Sequence, residues 1–310
     1  MRIPSILCAA LALLAFPVAA QSARPQQHTV VVDGHPLAVW EKSPESAPRG
    51  AILLIHGATW SSLPNWDLQV PGEDRSVMDA LVRAGYAAYA LDQRGYGATP
   101  RDSTGWHTPG RAVEDANAVL RWIAGREGGA RPAVVGYSLG SYVALLTAQR
   151  HPESLSAIVL YASPIDPDTP FASSGAPPAA PPRRPTTAEA AASDFITPGA
   201  ASRAVVDAYV RQALASDPVK ADWRRLGEFS FDLPSVRVPV LLLHGVHDPL
   251  ATVERQARVF SRLGTEDRAW VILPASDHAA HVENAQAQWV HAIVRFLEQP
   301  RSSQGDEVTR

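Results

Sequence analysis

Three residues of this 310-residue chain could together make a nucleophile: Ser138, Asp248 and His278. A serine hydroxyl attacks weakly at neutral pH. It needs a base to take its proton and an acid to orient that base. Ser138 is the centre of Gly136-Tyr137-Ser138-Leu139-Gly140, a G-x-S-x-G motif. The motif follows the apolar run Pro132-Ala133-Val134-Val135 and precedes a helix-like stretch over 141–150. In that context a sharp strand-to-helix turn exposes the hydroxyl at the strand's carboxyl end, beside helix N-terminal amides. The competing reading is a tight turn whose serine merely caps the helix.

The elements that would position these groups alternate strand with helix. Residues 29–33 and 37–41 read as an antiparallel start, with Gly34-His35 near the turn. Residues 51–55, 86–91, 132–135, 155–161, 238–243 and 269–273 read as further strands, and 75–84, 111–126, 141–150, 252–263 and 282–297 as helices. Such alternation predicts an α/β fold, a mostly parallel sheet with helices on both faces. Between Pro164 and Pro185 eight prolines fall. No strand or long helix survives that density. Residues 164–235 therefore read as an insertion over the sheet edge, with helices at 188–192 and 203–215. It divides a core of 21–163 and 236–298, with a polar tail at 299–310. The insertion is expected to govern substrate choice rather than chemistry.

Ligands of such sheets gather past the carboxyl ends of strands. Asp248 follows the strand at 238–243 and is the expected acid, with Asp166 the next candidate. His278 follows the strand at 269–273 and is the expected base. His281 is its rival and is read either as a support to the catalytic residues or as a packing residue, and Asp277 reads as a solvated loop charge. Two amides are expected to face a developing oxyanion: Leu139, just after the serine, and Ala58, in the loop His56-Gly57-Ala58-Thr59-Trp60. His56 is expected to hold that loop by hydrogen bonding. Trp60 and Tyr137 are the candidate substrate-binding residues. Trp66 and Trp106, and in the insertion Phe171, Phe195 and Trp223, could also face the site.

Several of these segments carry a resemblance. Leu54-Ile55-His56-Gly57, Leu91-Asp92-Gln93-Arg94-Gly95-Tyr96-Gly97, the elbow at Ser138, His244-Gly245-Val246-His247-Asp248, and His278 before an amphipathic helix occur in order. Over residues 28–298 the chain resembles serine hydrolases of the α/β-hydrolase superfamily, in the esterase and lipase-like group. The resemblance implies an eight-stranded sheet, a cap between the sixth and seventh strands, and a hydrolytic site without a cofactor. Family members commonly have glycine before the catalytic histidine, where this chain has Asp277. The segment after Gly97 reads Ala98-Thr99, where serine is frequent. The expected activity is cleavage of a carboxylic ester with a small or medium acyl group. Aminopeptidase, lactonase and perhydrolase chemistry use the same fold and triad. A hydrolase-fold binding protein is the non-enzyme alternative, and such proteins usually lose a triad member.

Composition narrows the partners. A net charge of −3 offers no broad basic surface for nucleic acid, so the expected partner is a small acyl substrate. The pairs His244/His247 and His278/His281 lack the glutamate and cysteines of common zinc motifs, so no metal is expected. The only cysteine is Cys8. It lies within Met1-Arg2, an apolar run over 6–16, and Val18-Ala19-Ala20, the pattern of a secretory signal cleaved after Ala20. The expected location is periplasmic or extracellular, without stable membrane insertion after cleavage. N-terminal sequencing of the native protein should begin at Gln21 or within about two residues of it. An intact Met1 on soluble cytoplasmic protein would contradict that.

Overall fold

A computed structural model describes residues 24–169, 171 and 178–300. The signal-like segment, the tail from Arg301 and part of the proline-rich stretch lie outside the described residues. Five runs, apolar but for His244, become β3 (Ala51–Ile55), β4 (Ala87–Leu91), β5 (Ala133–Tyr137), β6 (Ala157–Tyr161) and β7 (Val240–Gly245). Each is buried at every position, so none needs a polar side. β1 (Gln26–Val32) and β2 (His35–Lys42) form a hairpin. Its turn is Asp33-Gly34, with φ of 50° and 75°, the positive values a two-residue hairpin needs. β8 (Arg268–Leu273) closes the other edge.

The eight strands make one sheet in the order β1-β2-β4-β3-β5-β6-β7-β8. β2 runs antiparallel to β1 and β4, and every other neighbouring pair is parallel. The chain leaves β3 towards β4 on one side, while β5 and its successors extend on the other. The crevice between the carboxyl ends of β3 and β5 is therefore the topological switch point, where such sheets bind ligands.

α1 (Ser62–Trp66), a single turn not anticipated from sequence, follows β3. α2 (Val77–Arg83) and α8 (Gln286–Glu298) pack on one face of the sheet. α3 (Pro109–Arg126), α4 (Leu139–Arg150) and α7 (Val253–Arg262) pack on the other. α5 (Ala188–Ala192) and α6 (Arg203–Ser216) belong to the insertion between β6 and β7 and share a separate apolar cluster with Trp60, Leu68 and Val70. Ser76, Thr108, Thr187, Ser202 and Thr252 each start a helix by accepting the amide three residues on.

The last helix begins four residues later than its apolar spacing predicts. Val282 and Ala285 are buried, but in turns rather than on α8. The amide of Asn284 is taken by the Ala200 carbonyl of the insertion, at 2.8 Å, and that of Gln286 by Glu283. A tertiary contact here competes with the helical ladder. Among the described residues no helix is long and apolar enough to cross a membrane.

Candidate active site

Ser138 occupies the N-cap position of α4 at φ 52° and ψ −119°, and its side chain makes no cap hydrogen bond. This departs from the five capped helices and removes the capping alternative. A non-glycine residue there costs about 1–3 kcal/mol, strain that the surroundings must hold. They do so on both sides. The Ser138 amide donates to Tyr161 O at 2.9 Å, and the Ser138 carbonyl accepts from Ser141 N and Ser141 Oγ. A Cβ at Gly136 would run into the Gly140 carbonyl, and one at Gly140 would lie 2.6 Å from His56 O. Glycine at both places lets α4 start hard against the ends of β5 and β3. Leu139 N–H is the first amide of α4, a donor that has no helical carbonyl partner.

The acid and base meet across the ends of β7 and β8. A Cβ at Gly245 would lie 2.5 Å from Ser276 O, so glycine allows these two loops to touch. Asp248 Oδ1 accepts from Leu250 N at 2.8 Å and Ala251 N at 3.1 Å, and Oδ2 lies 2.9 Å from His278 Nδ1. A carboxylate only accepts, so Nδ1 carries the proton and Nε2 of the neutral ring is an acceptor. Both side chains are buried. Burial works against the Asp248 carboxylate. The His278 hydrogen bond and charge, with the two amides, overcome it and hold the carboxyl below its ordinary value. Burial likewise opposes the imidazolium, but Asp248, then Asp194 and Asp277, outweigh it and hold His278 above its ordinary value.

The rivals are engaged elsewhere. Asp166 faces Arg258 at 3.3 Å and Arg255 at 3.7 Å on α7. His281 is buried among Trp66, Tyr137, Tyr161 and Trp289, and burial pushes it down to about 3, so it stays neutral. The Tyr161 hydroxyl donates to His278 O at 2.9 Å and accepts from His281 N, which fixes the loop's backbone. Tyr137 is only 3% exposed, stacks on Tyr161, and lies 5.0 Å from the His278 ring. Its ring packs against the imidazole.

The loop after β3 is held by the loop after β4. His56 Nε2 accepts from Gln93 N at 3.1 Å, so its Nδ1 donates to Gly57 O. Ala58 is exposed, and its carbonyl accepts from the Tyr96 hydroxyl, which in turn accepts from Trp223 Nε1 of the insertion at 2.7 Å. Asp217, at the end of α6, accepts from Ser61 N at 2.8 Å and Gly97 N at 2.9 Å, and burial pushes it up to about 6. Sequence inspection missed Asp217, and nothing local marks it, since its partners lie more than a hundred residues away. Trp60 lies in the seam between core and insertion. Trp66 is fully buried against Trp289 and Tyr137, and the Arg224 guanidinium covers Trp106. Phe171 packs on Tyr142 and Phe229, and Phe195 on Tyr209. Among the described residues no group of three or more His, Cys, Asp or Glu could hold a metal ion.

Asp277 corrects an expectation. It is fully buried, not a solvated loop charge. Its Oδ2 accepts from Ile196 N at 3.0 Å and from Thr197 N, and Oδ1 accepts from Ala279 N at 3.3 Å. Glu283 accepts from the Asp277 amide at 3.2 Å. Burial, then the charge and hydrogen bonding of Asp277, push Glu283 up to about 8 from an ordinary 4.5. The folded protein thus keeps a proton that the unfolded chain releases. Stability from this group is greatest below about pH 4.5 and erodes as pH rises towards 8. The melting temperature should fall between pH 6 and 9, and fall less in Glu283→Gln, which is neutral throughout. Parallel declines would show that the retained proton is not on Glu283.

The sheet order, the strained uncapped serine and the buried His278–Asp248 pair define an α/β-hydrolase of the serine type. The chain belongs to the Hydrolase_4 family, described as serine aminopeptidase, S33, whose model matches residues 46–285. A monoacylglycerol lipase of Mycolicibacterium smegmatis (strain ATCC 700084 / mc(2)155) is 29% identical over 123 residues, 39% of this chain. The match spans only 40% of that relative's length. A thermophilic esterase from Thermogutta terrifontis superposes with a TM-score of 0.65 at 17% identity, over 89% of this chain and 98% of that one. A proline iminopeptidase of Mycobacterium smegmatis gives 0.63 at 18% identity, over 88% and 98%. At these identities the superpositions speak to the fold.

Proposed function

We propose that this serine hydrolase cleaves carboxylic esters of small or medium acyl groups through an acyl-enzyme on Ser138. The observation that carries the reading is the 2.9 Å contact of buried Asp248 with His278 Nδ1, which leaves Nε2 basic. Ser138 Oγ attacks the acyl carbon while its proton passes to His278 Nε2. Asp248 stabilises the imidazolium, and the amides of Leu139 and Ala58 face the oxyanion. The C–O bond to the alcohol breaks, and the Nε2 proton goes to the leaving oxygen. Water then repeats the sequence, releasing acid and free serine. The monoacylglycerol lipase and esterase among the similar proteins support an ester substrate.

One observation favours an aminoacyl substrate as a second reading. Asp194 of the insertion lies close enough for its charge to act on His278 and Tyr137. Burial and the neighbouring carboxylates raise it, although His278 opposes this, and it has no hydrogen bond or ion pair with another described residue. A substrate amine would neutralise it. The test for both readings is one panel: p-nitrophenyl esters of graded chain length beside aminoacyl and lactone substrates, with fluorophosphonate labelling. Acyl esters turned over fastest would support the first reading, and preference for free-amine aminoacyl substrates the second. No labelling and no turnover would point to a binding protein.

A further inference from the structure

We propose that Asp277 is a positioning residue that latches the insertion to the loop carrying His278, so that seating the cap and seating the imidazole are one event. The inference rests on the catalytic reading of Ser138 and His278. It starts from Asp277, the residue directly before His278. A loop aspartate that is fully buried must be compensated, because an uncompensated buried charge costs several kcal/mol. No ion pair with a described cation does this. Amides do, and two of the three belong to Ile196 and Thr197, some eighty residues away in the insertion. If the cap lifts, both donors leave, and the carboxylate must turn towards water. His278 is the next residue, so one peptide bond transmits that turn to the imidazole.

The same contact sets the charge around the base. The latched segment begins just after Asp194, which acts on His278 from the insertion. Asp248 faces the ring from the loop after β7, and Asp277 from its own loop. Glu283 backs Asp277, and His281 is neutral. The latch therefore brings a negative charge to the base when the site is closed. Asp217 ties the insertion to the opposite wall, at Ser61 and Gly97, so the cap is fastened to both sides of the crevice.

The test uses the full chain and a small activated acetate ester, which is too short to need the cap for binding. Asp277→Gly removes the latch by deleting the accepting carboxylate. Thr197→Pro removes one donor from the other side without touching the histidine loop. Each should lower kcat for the acetate ester by roughly 10–100-fold, as expected when a catalytic group is misplaced by about 1 Å. Each should also move the acidic limb of the kcat/KM profile to lower pH, because His278 loses the carboxylates that favour its charged form. Asp277→Asn, which keeps an acceptor, should restore part of kcat. The double variant Asp277→Gly/Thr197→Pro should be no worse than the poorer single variant, since both break one contact. Folded variants with wild-type kcat and an unmoved acidic limb, or losses that multiply in the double variant, would overturn the latch. If Asp277→Gly does not fold, Thr197→Pro alone decides by the same readouts. Acetate turnover surviving in Ser138→Ala would instead void the catalytic reading beneath it.

Discussion

Replacing Ser138 by alanine should lower kcat by roughly 10⁴–10⁶-fold while the protein folds normally. Alanine deletes only the hydroxyl. The backbone at φ 52° is held by contacts that do not involve Oγ: the Tyr161 carbonyl, the Ser141 side chain and the close fit at Gly136 and Gly140. The strain therefore remains, and the melting temperature should be close to wild type. Ser138→Gly should be equally inactive yet more stable, because glycine adopts positive φ without the steric cost. Two measurements decide: turnover of an activated ester, and thermal unfolding of both variants. Near-normal turnover by Ser138→Ala would remove Ser138 as the nucleophile. A less stable Ser138→Gly would show that the strain is not stored at this residue.

Asp248→Asn should cost on the order of 10⁴-fold in kcat, the scale seen when a triad acid is made neutral. An amide nitrogen facing His278 Nδ1 would donate, forcing the proton onto Nε2. The ring could then no longer take the serine proton. The variant would also lose the charge that holds His278 above its ordinary value, so any residual activity should have its acidic limb shifted down. Asp166→Asn should change kcat less than a few-fold, because Asp166 faces Arg255 and Arg258 on α7. Both variants must be compared at matched folding. Asp166→Asn proving the more damaging would reverse the assignment.

The sequence by itself determined the strand–helix alternation, the elbow, and the order Ser138, Asp248, His278. These are legible because they are local. A strand buried on both faces must be apolar throughout, a turn that presses helix against strand must be glycine-rich, and residues just past strand ends lie where such sheets bind. Even Asp277 was visible, as a charged residue directly before His278. Its role was not, because a charged residue in a loop reads as solvated unless its burial is known. Only the tertiary structure buried Asp277 under Ile196 and Thr197, raised Glu283 beside it, tied Asp217 to Ser61 and Gly97, and packed Tyr137 against the imidazole. It also started α8 at Gln286 by giving the Asn284 amide to Ala200. Each of these depends on donors and acceptors brought together from far apart in the chain. Hydrogen-bond compensation of buried polar groups is settled by which segments meet, and neither periodicity nor motif spacing encodes that meeting.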